Sequence, residues 1–310
     1  MRQFLGGGIL AVGLLSTAGS VGETIDIVSS RDNTLYETGV ATTLSNGAGD
    51  YFFAGKTGFR ADGKLRRGLL AFDVAEVVPT GATINAVSLT LNVSRIPPGA
   101  SPTVFELHRL LNDWGEGASN APGQEGAGTS SFPGDATWHH TFFPGTFWTS
   151  PGGEPGADFE ANASASKSVG GLGSYTWNST PDLVFDVQGW LDQPDDDFGW
   201  LILGGEGTDN SARRFDSRQN SEADDRPTLH IDFTMPITGD HNQDGIVDAA
   251  DLAIVLAGWE TFGVEGLSDL FGETPAPSAP LLSAVPEPST FLLALLGLLG
   301  GCLRRRRFAG

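Results

Sequence analysis

A twelve-residue segment in the C-terminal third, residues 240–251, carries oxygen-bearing side chains at the spacing a hard cation needs. Asp240, Asn242, Asp244, Asp248 and Asp251 stand at positions 1, 3, 5, 9 and 12 of this segment. Gly245, at position 6, allows the sharp turn, and Ile246, at position 7, offers its carbonyl. Calcium takes six to eight oxygens, so one short loop of this kind can supply a whole coordination shell. The sequence therefore predicts one calcium held by Asp240, Asn242, Asp244, Ile246, Asp248 and Asp251. A second chemistry is suggested by Trp114, Trp138, Trp148 and Trp177, which lie in or beside an irregular stretch rich in Gly, Pro and Ser over residues 112–182. Flat apolar rings suit the C–H face of a sugar, and Asp, Asn and Arg suit its hydroxyls. The four are expected as carbohydrate-binding platforms if exposed; otherwise they pin long loops onto the fold.

Catalysis finds less support. His139 and His140 with His108 could ligate a metal, but adjacent residues of an extended chain point to opposite faces, and no Asp or Glu spacing completes a site. Asp195, Asp196 and Asp197 follow Pro194 and read as a solvated turn. No G-x-S-x-G elbow, H-E-x-x-H pair or phosphate loop is present. Chance supplies many carboxylate pairs in so acidic a chain, so a hydrolase or lyase stays an alternative to the expected non-catalytic role.

The elements that must position these residues are short and apolar. Strands are predicted at 69–74, 86–93, 103–110, 183–187, 199–203 and 228–233, with Val87, Leu89, Leu91 and Val93 on one face. A helical turn is expected only at 188–191, and Trp190 and Trp200 are placed in the core. With 43 Gly and 18 Pro, turns are frequent. The fold class is all-β, an antiparallel β-sandwich, followed by a short calcium loop-helix and a C-terminal transmembrane helix. The sole cysteine is Cys302, so a hydrophobic core rather than a disulfide must hold the body together.

Both ends read as processing segments. Residues 1–20 combine Met1-Arg2, an apolar run at 4–15 and small residues, the pattern of a secretory signal peptide. After a semi-extended Pro-rich linker at 272–284, the chain continues with Val285-Pro286-Glu287-Pro288, an apolar run of 13 residues at 291–303, and Arg304, Arg305, Arg306 and Arg307. An apolar run with a cationic flank is a cytoplasmic stop signal. Its shortness against the roughly 20 residues of a stable span suits a temporary inner-membrane anchor. Five of the 18 basic residues lie in these terminal segments, so the body between them is more acidic than the formal −20 of the chain. Nucleic acid is thereby excluded as a partner, because its binding requires a cationic footprint. Long-range attraction to an anionic polysaccharide is disfavoured on the same ground.

Three resemblances follow from these motifs. The tail resembles the PEP-CTERM sorting signal of Gram-negative bacteria, which implies cleavage by an exosortase-type membrane protease and delivery to the cell surface or extracellular matrix. Residues 24–235 resemble the DNRLRE domain. Asp32-Asn33-Thr34-Leu35-Tyr36-Glu37 stands at its name motif, with Thr34 and Tyr36 in place of two arginines. Arg67-Gly68-Leu69-Leu70-Ala71-Phe72-Asp73, Asn112-Asp113-Trp114-Gly115-Glu116-Gly117, Phe185-Asp186-Val187-Gln188-Gly189-Trp190 and Phe215-Asp216-Ser217-Arg218 follow in the family's order. That likeness implies a jelly-roll-like sandwich and a polysaccharide-binding or structural role. Residues 240–271, with an EF-hand-like loop ending in Asp251 and an apolar helix after it, resemble a single, degenerate type I dockerin repeat. The second calcium repeat of a full dockerin is missing, and Ala249 and Ala250 are too small to indicate a cohesin partner. A cohesin-bound accessory role in polysaccharide degradation is the alternative.

Overall fold

A computed structural model describes residues 22–39, 41–58, 65–235, 239–242, 247 and 249–262. The chain divides into two compact units, 1–254 and 255–310. In chain order the strands of the first unit are β1 (Gly22–Val28), β2 (Arg31–Tyr36), β3 (Leu44–Ser45), β4 (Tyr51–Lys56), β5 (Leu65–Ala71), β6 (Thr83–Arg95), β7 (Thr103–Arg109) and β8 (Thr129–Ser130). They continue with β9 (His140–Phe142), β10 (Thr146–Phe147), β11 (Ala165–Val169), β12 (Gly173–Trp177), β13 (Trp200–Gly204), β14 (Arg213–Asp216) and β15 (Thr228–Thr234). Helix α1 (Pro181–Asp192) lies between β12 and β13, and helix α2 (Ala249–Phe262) crosses from the first unit into the second.

The expectation of a mostly β protein holds. One curled antiparallel sheet runs β1-β15-β6-β14-β4-β5-β13-β7-β11, with β12 also pairing β6 and β2 also pairing β5. Strand β6 shows how side-chain alternation is managed. Ile84 is buried, and so are Val87, Leu89, Leu91 and Val93, which lie in the opposite phase. The phase changes where the register against β15 shifts between Asp232 and Phe233. An extra residue in one strand of a pair lets both halves face the same core. Asn85 occupies that extra place and donates from Nδ2 to Asp232 Oδ1 at 2.9 Å and Thr234 Oγ1 at 2.7 Å.

The inner face of the curl and α1 bury one large core, in which Phe52, Leu70, Phe105, Trp190, Trp200 and Phe215 are fully covered. A smaller core lies on the outer face of β2, β5 and β13, where Leu35, Leu69, Ala71 and Leu201 meet the irregular stretch that follows β7. Leu69 and Leu70, or Leu201 and Ile202, thus serve two different cores from neighbouring positions, as period-two alternation requires. Each fully buried side chain of this size stabilises the fold by about 1.5–3 kcal/mol.

Two sequence expectations are corrected. Residues 183–187 are not a strand, and the helix is not confined to 188–191; both belong to α1. Thr180 caps the helix by accepting from the Leu183 amide at 3.0 Å, and Pro181 occupies its first turn. The buried set Leu183, Val187, Trp190 and Leu191 has helical, not alternating, spacing. The strand reading followed the β-prone types at Val184 and Phe185, and the cap and stripe outweigh them. Nor is Asp197 a solvated turn residue. It is part-buried against the Val74 amide, and burial pushes its carboxyl up to about 7, with Asp73 adding repulsion. Among the described residues no helix is long and apolar enough to cross a membrane. The signal peptide at 1–20, the linker at 272–284 and the transmembrane helix at 285–310 fall outside the described residues.

A polar groove beside helix α1 as the candidate binding site

The four tryptophans proposed as sugar platforms are buried. Trp114 and Trp177 are fully covered, Trp148 is 5% exposed and Trp138 7%. Trp114, Trp138 and Trp148 fill the outer core, and Trp177 the inner one. Three of their indole N–H groups are also taken. Trp114 donates to Phe198 O at 2.8 Å, Trp148 to Thr137 O at 2.9 Å and Trp177 to Phe105 O at 3.1 Å. These rings fasten the long loops onto the sheet and offer no stacking face.

The motif around Trp114 is likewise architectural. Gly117 has φ +74°, and a Cβ there would fall 1.6 Å from Asp135 Oδ1. Glu116 forms a two-pronged ion pair with Arg218 and accepts the Asp32 amide at 3.2 Å. Asp32 accepts the Arg218 amide at 2.8 Å, while its other oxygen is buried without a partner. Burial, with Glu116 adding repulsion against the lowering effect of the Arg218 amide, pushes its carboxyl up to about 8. Asn33 ties the same region together, donating to Ser45 Oγ and Glu116 O and accepting the Thr34 and Asn46 amides. This polar cluster knits three loops to β2.

The histidines take structural partners too. His108 Nδ1 lies 2.9 Å from Glu160 O, His140 Nδ1 2.9 Å from Thr137 Oγ1, and His139 Nε2 3.0 Å from Thr38 O. No group of three or more His, Cys, Asp or Glu among the described residues is placed to hold a metal. Of the predicted calcium ligands, Asp244, Ile246 and Asp248 lie outside the described residues. The structure does bring the two ends of that loop together. Asp251, buried in the first turn of α2, accepts from the His241 and Asn242 amides at 2.7 and 3.1 Å through Oδ1.

An exposed aromatic ring with polar neighbours occurs elsewhere. A groove of about 260 Å³ beside α1 is lined by Arg109 of β7, by Glu160, Asn162 and Ser164 of the segment entering β11, and by Asp182, Phe185 and Asp186 of α1. The helix places Phe185 off its buried stripe, and the ring is 69% exposed. The Arg109 guanidinium lies 6.0 Å from that ring's centroid, and its Nε is buried without a hydrogen-bond partner. Gly189 packs beside it, where a Cβ would lie in ordinary van der Waals contact with the guanidinium nitrogens at 3.6 Å. Burial raises the Asp186 carboxyl, but its Oδ2 holds Trp200 Nε1 at 2.8 Å, which ties the helix to the core. The groove thus presents an apolar face, a guanidinium, an amide and two exposed carboxylates. Sequence reasoning missed it because Phe185 was assigned to a strand; the stripe at 183, 187, 190 and 191 is the signal that leaves position 185 outside.

At the chain's far end, a family model described as a PEP-CTERM protein-sorting motif matches residues 284–307. The chain carries a PEP-CTERM sorting motif. Val285, Pro286, Glu287 and Pro288 open the match and Arg304, Arg305, Arg306 and Arg307 close it. Such a motif implies a bacterial protein that is exported, processed by an exosortase-type membrane protease and sorted to the cell surface. No curated protein matches the chain.

Proposed function

We propose that this exported protein is a non-catalytic component of the cell surface or extracellular matrix that binds polysaccharide through the groove beside α1. The observation that carries the reading is Phe185, a largely exposed ring beside a guanidinium and an amide, with carboxylates at the same groove. That combination supplies both the flat apolar face and the planar polar groups a sugar ring requires. Residues 24–235 form, in this reading, a DNRLRE-type jelly-roll-like sandwich. The curl of the antiparallel sheet around one core supports it, as does the polar cluster centred on Asp32 and Asn33. Residues 240–271 are a single dockerin-like calcium segment, in which Asp240, Asn242, Asp244, Ile246, Asp248 and Asp251 would hold one ion. Calcium there would offset two of the four negative charges of Asp240, Asp244, Asp248 and Asp251 and stiffen the segment ahead of the linker. Contact between Asp251 and the start of the loop supports this closure.

A glycan array probed with the full-length chain tests the binding reading. Capture of one polysaccharide class is expected, weakened about tenfold or more by Phe185→Ala. That substitution removes an exposed ring and leaves the core intact. An array on which the wild-type chain captures nothing would make the sandwich a structural module. Turnover of a captured glycan would move the reading to a hydrolase or lyase, and retention on a cohesin column would move it to an accessory docking role.

A further inference from the structure

A second groove, of about 320 Å³, gathers Arg66, Arg95, Arg213 and Arg214 over an apolar floor that includes Phe53 and Ile96. An adjoining hollow of about 410 Å³ shares Phe53 and Arg95 with it. Four guanidinium groups at one place are unexpected in a chain of formal charge −20. Two of them are held by the fold itself. Arg213 is 1% exposed and gives its N–H groups to the carbonyls of Ser211, Ala212, Ser101 and Val169. Arg66 lies over the Tyr36 ring at 4.7 Å and donates to Leu65 O at 2.8 Å.

Arg95 and Arg214 differ. They converge on a single acceptor, the side-chain oxygen of Gln124; Arg214 reaches it at 2.8 Å and Arg95 also donates to it. Arg214 is fixed from behind, stacked 3.6 Å from the Tyr51 ring centroid and bonded through Nε to Ser94 Oγ at 3.1 Å. Among the described residues no ion pair includes Arg95, Arg213 or Arg214. The acids nearby make no ion pair with them, although one Asp216 oxygen is buried without a hydrogen-bond partner and its carboxylate feels the Arg214 charge. Asp216, two residues along β14, accepts Asn92 Nδ2 at 2.7 Å. Glu125, in the adjoining hollow, accepts Asn46 Nδ2 and the Asp50 and Tyr51 amides. Two cations therefore share one neutral amide oxygen, an acceptor that bonds them without cancelling their charge. Paired guanidinium groups bind a carboxylate with charge-assisted hydrogen bonds roughly twice as strong as neutral ones.

We propose that Arg95 and Arg214 form a carboxylate-binding site, in which the ligand's carboxylate displaces the Gln124 amide oxygen and its apolar face lies on Ile96 and Phe53. This goes beyond the groove at α1 and does not rest on it. The short reach of the site reconciles it with the acidic body, since the field of distant acids is screened over about 10 Å at ordinary salt.

The test is an NMR titration of the full-length chain that follows the arginine Nε–Hε signals. Benzoate and glucuronate are the probes, with benzyl alcohol and glucose as uncharged controls. Both carboxylates are expected to move the Arg95 and Arg214 signals saturably, with dissociation constants of about a millimolar, and the controls to leave them still. Tighter binding of glucuronate would assign the source to acidic sugars, and tighter binding of benzoate to apolar acids. Gln124→Glu supplies the carboxylate from within and should weaken binding about tenfold while keeping the fold; Arg95→Gln, at an exposed position, should do the same. Gln124→Ala should bind at least as well as the wild type. The proposal is overturned by an absence of saturable shifts with either acid, or by binding that Gln124→Glu and Arg95→Gln leave unchanged.

Discussion

Asp32 shows how one buried carboxyl sets a pH dependence. It lies at the base of the loop cluster held by Glu116 and Arg218, with burial first and Glu116 second holding its carboxyl up to about 8. An unfolded chain ionises the same group near pH 4. Between those values the folded state keeps a proton the unfolded state has lost, so stability falls as pH rises from about 4 towards 8 and then levels. Asp197, raised to about 7, contributes with the same sign. Asp32→Asn keeps an oxygen for the Arg218 amide and removes the titration. The Asn variant should match the wild type at pH 3 and be more stable by roughly 5 kcal/mol at pH 9, about four pH units at about 1.36 kcal/mol each. Thermal melts at the two pH values would read this as a gap of roughly 10 °C or more that opens with pH; a gap that stays constant would show that Asp32 does not titrate as described.

At the scale of elements, the loop leading into α2 gives the sharpest expectation. Asp251 is buried in the first turn of the helix and accepts from the amides of His241 and Asn242, so the last ligand position adjoins the start of the loop. Calorimetric titration of the full chain with calcium should give one site, with a dissociation constant of about 10⁻⁴ to 10⁻³ M as in other extracellular modules. Asp251→Ala should abolish it; no heat up to millimolar calcium would remove the assignment. This proposed site can be read from sequence alone because every candidate ligand falls within twelve residues. The strands at 86–93 and 228–233 were legible for a local reason, an alternation visible in their own side chains, and 199–203 as a short apolar run. The groove beside α1 was not, because Arg109, Asn162 and Phe185 come from a strand, a loop and a helix that only the fold brings together. Nor was the burial of Trp114, Trp138 and Trp148. It depends on β2, β5 and β13 offering a second apolar face that the irregular stretch can cover. Composition identifies that stretch as loop but not what lies beneath it.

For the whole molecule, the PEP-CTERM tail and the composition of the body constrain each other. The matched residues 284–307 hold four of the basic residues and the sole cysteine. Cleavage beside Pro286, Glu287 and Pro288 would therefore release a product that is more acidic than the precursor and free of thiols. Charge repulsion keeps such a product soluble and dispersed, and a product without cysteine must rely on its two cores. The 13 apolar residues at 291–303 fall short of the roughly 20 that hold a helix stably across a bilayer, which fits an anchor needed only until the protease acts. Mass spectrometry of the surface-exposed protein should accordingly find no peptide containing Arg304, Arg305, Arg306 or Arg307. Replacing Pro286, Glu287 and Pro288 together by Ala should leave those peptides in place and hold the chain in the inner-membrane fraction. Wild-type surface protein that retains the arginine cluster would show that the tail serves as a lasting anchor, and the acidic, thiol-free product would then never form.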